Sequence, residues 1–410
     1  MEYNVHTLPN GIRILHVPAA SAISHACIIV NTGSRDEPEG KAGLAHFIEH
    51  LIFKRTEKRS TNQILNRLES VGADLNAYTT KEYTCVHASF LNPYLDRTLD
   101  LFNDIIFHST FPEEEMDKEK SVILDEISSY LDQPEEAIND DFEDMLFAGH
   151  ALGNNILGTT ESVQNFTRED VINFRKANYR TNEIVVAVLG NYTLNNVVNK
   201  GSKYFADVEE NNPVKKRIKP GILPQSNTTI YKPIMQAHCI LGTQAYSTYQ
   251  SQKVSLMLLN NYFGGNGMSS VLNLQIREKY GIAYTIESNF SPLSDTGIFS
   301  IYFGTDKEKQ AKALSLIFKE IKKLREHPLN ELQLQKAKHK FIGQIALGEE
   351  NRIGLIISMA KSLIDHDKID SLETVFEKIN AVTTTQMADV THEILDIEQL
   401  NIFTFCPIEE

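Results

Sequence analysis

Hydrophobic positions along the chain follow two periods, and the two alternate in the same order in both halves. Apolar residues at every second position predict strands, and a spacing of about 3.6 residues predicts helices. The predicted order is two strands, two helices, a strand pair and two helices. In the first half these are strands 12–16 and 25–30, helices 44–54 and 62–70, strands 75–80 and 83–90, and helices 95–108 and 114–130. After position 225 they are strands 228–231 and 237–242, helices 253–262 and 270–277, strands 283–290 and 297–304, and helices 308–325 and 331–347.

The repeated order predicts an α+β fold with two homologous domains, each an antiparallel β-sheet with helices packed on one side. A chain of 410 residues with 41% hydrophobic residues is long enough to bury two cores. Residues 211–221 are rich in Asn, Pro, Gly and Lys and show no period, as is typical of a linker. We therefore expect an N-terminal domain at 1–208, a linker at 209–225 and a C-terminal domain at 226–410.

Three residues of the predicted helix 44–54 carry the clearest chemistry. His46, Glu49 and His50 form the pattern H-x-x-E-H, which inverts the commoner H-E-x-x-H order of zinc peptidases. Residues i and i+4 share a helix face, so both imidazoles can reach one metal ion with the carboxylate beside them. The alternative is that two histidines of an apolar helix are packed core residues.

A catalytic zinc needs a third protein ligand, and the acidic helix 114–130 offers two candidates on one face. Glu119 and Glu126 lie seven residues, or two helical turns, apart. Solvated carboxylates on a helix surface are the alternative interpretation. Apolar residues around Glu126 favour partial burial of this face, and buried carboxylates are usually paired or metal-bound.

These residues resemble the pitrilysin and mitochondrial processing peptidase family of metallopeptidases. In that family H-x-x-E-H is followed, 76 residues after its last histidine, by a glutamate ligand, and another glutamate stands seven residues before that ligand; this chain matches both spacings. The resemblance implies that His46, His50 and Glu126 bind one Zn²⁺ per chain. It also implies that Glu49 is the general base and that Glu119 orients the ligands.

The resemblance extends over nearly the whole chain. In the second half, the segment 276–284 is similar to the family segment in which an arginine and a tyrosine seven residues apart contact the substrate. It implies that Arg277 anchors the substrate backbone and that the Tyr284 hydroxyl stabilises charge on the scissile carbonyl oxygen. Without the family, a surface arginine and a packed strand tyrosine are the simpler interpretation.

The predicted strand through Asn76, Ala77, Tyr78 and Thr79 has small or polar residues around one aromatic side chain. This composition favours binding of an extended peptide as an additional strand, with broad sequence specificity because backbone groups make the contacts. An ordinary sheet strand is the alternative.

The predicted function is that of a zinc-dependent endopeptidase that cleaves peptides or unfolded polypeptide segments. Longer family members, such as those that resemble insulin-degrading enzyme, close a chamber with four such domains. The resemblance therefore implies a homodimer in which each zinc faces Arg277 and Tyr284 of the other subunit; a heterodimer with a homologue that lacks the motif is also open. Two other functions stay open: a non-catalytic scaffold subunit similar to processing peptidase, and a zinc hydrolase of a non-peptide amide.

The net charge and the length of the apolar stretches argue against two classes of binding partner, nucleic acids and membranes. A net charge of −14 argues against a nucleic-acid-binding surface, which needs basic patches. The apolar stretches are far shorter than the roughly 20 residues that span a bilayer. The first six residues have neither the basic nor the apolar region of a secretory signal, so we expect a cytoplasmic protein without membrane contact.

Overall fold

Eleven strands form two separate β-sheets in the computed structural model, which describes residues 2–408. Within each sheet all neighbouring strands run antiparallel except for one parallel pair. The first sheet contains β1 (Asn4–Thr7), β2 (Arg13–Pro18), β3 (Ile23–Val30), β4 (Asp74–Thr79), β5 (Thr84–Leu91) and β6 (Ile184–Gly190). The second contains β7 (Asn227–Lys232), β8 (Ala237–Ala245), β9 (Ala283–Pro292), β10 (Gly297–Thr305) and β11 (Asn401–Pro407).

Fourteen α-helices and one π-helical segment, Asn273–Glu278, complete the regular structure of the described residues, apart from short 3₁₀ turns. None of the helices within residues 2–408 has the length and apolar character needed to cross a bilayer. The helices are α1 (Leu44–Leu51), α2 (Thr61–Glu69), α3 (Leu95–Phe107), α4 (Glu113–Leu131), α5 (Pro134–Leu146), α6 (Thr160–Gln164), α7 (Arg168–Asn178), α8 (Leu194–Phe205), α9 (Lys253–Phe263), α10 (Gln310–Glu326), α11 (Glu331–Gly348), α12 (Arg352–His366), α13 (Leu372–Asn380) and α14 (Thr384–Ile394).

The two sheets repeat one strand order. Without the edge strand β1, the first sheet reads β2-β6-β3-β5-β4, and the second reads β7-β11-β8-β10-β9. The parallel pairs, β2 with β6 and β7 with β11, occupy equivalent places. The predicted α+β fold with two homologous domains is confirmed, but the prediction of purely antiparallel sheets is wrong. In each sheet a strand late in the sequence, β6 or β11, follows a long connection that contains helices and lies parallel beside an early strand, β2 or β7.

Helices cover both faces of the first sheet. Along β3, Ile28 faces one core, whereas Cys27 and Ile29 face the other, as the two-residue period of a strand requires. The larger core is formed with residues of α1, α2, α3, α4, α7 and α8, and the smaller core with α12. The prediction that helices pack on one side only is therefore wrong, because the second apolar face of the sheet also needs a cover.

The chain divides into two compact units that exchange segments. The first unit contains the chain up to Ser128, residues Asn154–Ile218 and residues Gly348–Asp370, which include α12. The second contains Ser129–Gly153, Lys219–Leu347 and the chain from Ser371, so that α5 packs on the second sheet. The sequence predicts contiguous domains. The observed units differ from that prediction in two segments, 129–153 and 348–370, each of which belongs to the unit formed mainly by the other half of the chain.

The expected linker, 209–225, contains no helix or strand. Its first part is nonetheless held by ion pairs of the first unit. Lys215 Nζ lies 2.7 Å and Arg217 Nη2 2.9 Å from the buried carboxylate of Asp36. Burial raises the pKa of Asp36, but the two cations outweigh it and lower the pKa below the usual range. Residues as far as Ile218 thus belong to the first unit.

Candidate metal centre

Helix α1 begins at a tightly packed turn. Gly43 has φ of 92°, and a Cβ at this position would lie 2.6 Å from the carbonyl oxygen of Leu157, so only glycine fits. The Glu37 side chain accepts hydrogen bonds from the backbone N–H groups of Gly43 and Ala45 at 3.0 and 2.8 Å. These donors have no partner inside the helix, so the Glu37 oxygens satisfy two N–H groups that would otherwise lack an acceptor. Burial raises the pKa of Glu37 to about 8.

The side chains of α1 divide into an apolar and a polar face. Phe47, Ile48 and Leu51 pack into the larger core, which fixes the rotation of the helix. His46, at 8% exposure, and His50 lie four residues apart on the other side, with their ring centroids 4.6 Å apart. The sequence therefore folds as a helix that aims both imidazoles in one direction.

Helix α4 supplies the two glutamates. Met116 and Ile123 anchor it in the same core. Glu119 is buried, whereas the Glu126 side chain is 44% exposed. The sequence predicts burial around Glu126, whereas in the structure the more buried carboxylate is Glu119, two turns nearer the start of the helix.

His46, His50 and Glu126 come together as a group of possible metal ligands. One ligand atom from each lies within 4.8 Å of the other two. Glu126 Oε2 is 3.9 Å from His46 Nε2 and 3.6 Å from His50 Nε2. Two imidazole nitrogens and one carboxylate oxygen form a donor set typical of catalytic zinc, which leaves a position for water. The residues present therefore fit this metal.

The protonation of the two histidines also fits metal binding. Burial, with a contribution from the charge of His50, lowers the pKa of His46 to about 3, so its imidazole is neutral and keeps a free lone pair. His50 Nδ1 lies 3.0 Å from Glu119 Oε2, and Lys54 Nζ lies 2.7 Å from Glu119 Oε1. Burial raises the pKa of Glu119, but the hydrogen bonds from His50 and Lys54 outweigh it and lower the pKa. Because an ionised carboxylate only accepts, His50 donates from Nδ1 to Glu119, and its other ring nitrogen, Nε2, faces Glu126.

Glu49 is linked to the edge of the first sheet. Its Oε2 accepts a hydrogen bond of 2.7 Å from the hydroxyl of Thr79, the last residue of β4. Burial raises the pKa of Glu49, the charge of Glu126 raises it further, and the Thr79 hydroxyl and His50 oppose these effects. A carboxylate with a raised pKa is well suited to take up a proton and release it again.

The predicted substrate strand lies at the edge of the sheet. Within the described residues, β4 pairs with β5 on one side only. Asn76 Oδ1 accepts a hydrogen bond from the backbone N–H of Ala77, and the ring of Tyr78 packs against Tyr83. An edge strand presents backbone N–H and C=O groups to which another strand can pair.

Arg277 and Tyr284 belong to the second unit, so the structure does not bring them together with the candidate metal ligands in one unit. Arg277 lies in the π-helical segment with a side chain that is 44% exposed. Tyr284 lies on β9, is 53% exposed, and donates a hydrogen bond of 2.8 Å to Asp306. Both side chains are thus accessible.

Sequence reasoning missed three contributions to this site: the Glu37 cap, the Lys54 partner of Glu119, and the hydroxyl of Thr79 on Glu49. Thr79 was expected only to bind substrate. All three interactions join residues that are separated by at least one turn or loop, so no spacing in the sequence points to them. Lys54 belongs to the predicted helix 44–54, but Glu37 and Thr79 lie outside it.

Comparison with known proteins defines the class as a metallopeptidase. Residues 14–160 match the family model described as insulinase (peptidase family M16), and residues 165–341 match the model described as the peptidase M16 inactive domain. The two models together span well over half of the chain. The chain belongs to the M16 peptidase family.

Relatives match over almost the full length. A protein of Streptomyces coelicolor named an uncharacterized zinc protease is 31% identical over 95% of this chain and 86% of its own length. A protein of Bacillus subtilis with the same description is 29% identical over 95% of both chains. Among solved structures, a protease from Helicobacter pylori covers 99% of both chains with a TM-score of 0.89 and 21% identity. A peptidase M16 inactive domain from Pseudomonas fluorescens has a TM-score of 0.91 at 19% identity and covers 100% of this chain and 99% of its own. At these identities the two structures support the fold alone.

Proposed function

We propose that the chain is a zinc-dependent endopeptidase that cleaves peptides or unfolded polypeptide segments. The observation that carries this proposal is the convergence of His46, His50 and Glu126 within 4.8 Å. Glu49 lies on the same helix and accepts a hydrogen bond from Thr79 of the edge strand β4. The names of the relatives as zinc proteases support the same reaction class.

In this proposal His46, His50 and Glu126 bind one zinc ion. When bound, the ion supplies a Lewis acid that acidifies water and polarises a carbonyl group. Glu49 takes up the proton of the attacking water and delivers it to the leaving amine, for which its raised pKa is suited. Glu119 keeps the proton of His50 on Nδ1 and holds the ring in place.

The substrate lies extended along β4 through the backbone groups of Asn76, Ala77, Tyr78 and Thr79. Two observations support this. The strand is at the sheet edge, and Thr79 joins that edge to the proposed base. Strand addition of this kind aligns a peptide bond with the base and reads side chains only weakly.

Assembly completes the site in our proposal. Arg277 anchors the substrate backbone and the Tyr284 hydroxyl stabilises the developing oxyanion from the other subunit of a homodimer, whose two chains enclose a chamber. The exposure of both side chains supports such contacts. In a heterodimer with a homologue that lacks the H-x-x-E-H motif, only one of the two sites would hold zinc.

The direct test is the substitution Glu49→Gln, which removes the base and leaves all three ligands in place. We expect zinc content to be unchanged and peptide hydrolysis to fall roughly 100-fold or more. Metal analysis and mass spectrometry of a digested peptide mixture measure the two quantities on the same preparation. Glu69→Gln, at an exposed position at the end of α2, is the matched control and should hydrolyse normally.

Two results would contradict the proposal. A Glu49→Gln protein that cleaves peptides near the wild-type rate would remove Glu49 from the mechanism. Wild-type protein that contains zinc and leaves the whole peptide mixture intact would exclude a peptidase.

A further inference from the structure

The first unit contains a cleft that is separate from the candidate metal centre. None of His46, His50 and Glu126 lines it. It has a volume of about 570 Å³ and is bordered by residues of α3, α7 and α8 and the segments that follow them. This volume is within the range of small-molecule sites. Its walls combine apolar side chains, among them Phe107 and Ile172, with three cationic side chains.

Arg175 is the most unusual group in this cleft. Its guanidinium lies over the rings of Phe111 and Tyr179, 4.9 and 5.4 Å from their centroids, and Nη2 donates a hydrogen bond to the carbonyl oxygen of Ile106. Its Nε is shielded from solvent and has no hydrogen-bond partner among the described residues. No carboxylate of residues 2–408 contributes to its electrostatics, and burial lowers its pKa. A partly buried guanidinium is normally paired with an anion, whereas this one meets only a carbonyl oxygen and two ring faces.

The other two cations add positive charge without neutralisation. Arg168 donates from Nε and Nη2 to the backbone carbonyls of Thr110 and Phe111, and no carboxylate pairs with it in the described part of the chain. Lys176, one residue after Arg175 on α7, is exposed and also lacks an ion pair there.

Two exposed acidic residues, Asp207 and Glu209, also line the cleft, and neither pairs with the cations among the described residues. Three positive and two negative side chains leave the lining with a small positive excess. Such a balance suits a ligand with one negative charge better than a polyanion. The aromatic and aliphatic walls suit an apolar body.

We propose that this cleft binds a small organic monocarboxylate with an apolar body, whose carboxylate pairs with Arg175 and Lys176 and whose body packs on the aromatic wall. Arg guanidinium groups form strong charge-assisted hydrogen bonds with carboxylates. The inference does not depend on the proposed peptidase activity. It concerns different residues and a different ligand.

The competing interpretation is purely structural. Arg168 and Arg175 hold the segment 106–111, which leads into α4, through carbonyl hydrogen bonds and ring stacking. In that case the cleft would bind no anion in preference to a neutral molecule of the same shape.

Calorimetric titration with 3-phenylpropionate, and with its neutral amide as the matched ligand, separates these interpretations. We expect the carboxylate to bind at least ten-fold more tightly than the amide. Lys176→Gln should weaken binding of the carboxylate by about two- to five-fold. Ile172→Glu, which places a negative charge on the exposed wall, should weaken it more than Lys176→Gln does. Arg175→Gln should weaken it by about ten-fold or more.

Lys216→Gln is the control for a change of one charge, because this exposed residue lies outside the cleft, and it should bind normally. Thermal unfolding of each variant establishes that it is folded; Lys176→Gln and Ile172→Glu keep the test valid if Arg175→Gln does not fold. Equal affinity for acid and amide would overturn the proposal. So would carboxylate binding that is unchanged in both Lys176→Gln and Ile172→Glu, since such binding would occur elsewhere, for example on a metal ion.

Discussion

The contacts around His50 distinguish the proposed ligand Glu126 from the groups that hold the imidazole in place. Glu126 faces both imidazoles, whereas Glu119 contacts only the Nδ1 side of His50 and is itself held by Lys54. A direct ligand contributes a bond to the metal, while the Glu119 contact acts through the orientation and basicity of the imidazole.

We therefore expect Glu119→Ala to weaken zinc binding by roughly 10- to 100-fold and Glu126→Ala to weaken it by more. Competition with a zinc-binding dye measures both affinities on one scale. Asp125→Ala, at the exposed neighbouring position, is the control and should bind zinc normally. Unchanged zinc affinity in the Glu126 variant would remove this residue from the ligand set.

At this scale the sequence predicts which residues meet better than how they are held. Helical periodicity brings His46 and His50 to one face, and the family resemblance points to Glu126, which the structure places beside them. Metal binding itself stays a prediction. The Glu37 cap and the Thr79 contact could not be predicted, because both depend on how loops and a sheet edge pack against α1.

Among the elements, α12 has the least expected position. It covers the face of the first sheet opposite α1, and its residues Ile356, Ala360 and Leu363 share a buried cluster with Leu15 and Ile29. Local periodicity identifies an apolar helix face but not the sheet that it will cover. The parallel strand β6 is unpredictable for the same reason, because its partner β2 is distant in sequence.

Leu363→Ala should lower the free energy of unfolding of the first unit by about 2 to 5 kcal/mol, because Leu363 is 3% exposed and the change leaves a cavity. Leu347→Ala, at a residue that is 75% exposed, is the control and should change it by no more than about 0.5 kcal/mol. Urea-induced unfolding followed by circular dichroism measures both. If the two variants were equally stable, α12 would not be a tightly packed cover of this sheet.

For the whole molecule, the repeated order of strands and helices was sufficient to predict two homologous units. The exchange of α5 and α12 was not predictable, since a sequence divided at a linker gives contiguous domains. The structure of a single chain does not test the predicted dimer. The dimer stays a prediction, derived from the number of units and from the residues that each unit carries.

If the proposed dimer is correct, Glu49→Gln chains mixed with Tyr284→Phe chains should regain activity. One site of each mixed dimer would combine an intact base from one chain with an intact tyrosine from the other. Random mixing of co-expressed chains predicts recovery of roughly a quarter of wild-type hydrolysis for independent sites. Mixing Glu49→Gln chains with chains that carry both substitutions is the control and should recover nothing. Verified mixed dimers without activity would show that Tyr284 does not act across the dimer.

The position of α12 in the sequence also affects the order in which the first unit can fold during synthesis. The strands of the first sheet are complete once Gly190 has been synthesised, but the helix that covers their second face begins only at Arg352. If the sheet forms during translation, one of its apolar faces stays uncovered until α12 has been synthesised. Such surfaces promote aggregation of incomplete chains. We therefore expect the yield of folded first units to depend on how soon α12 follows the completed strands.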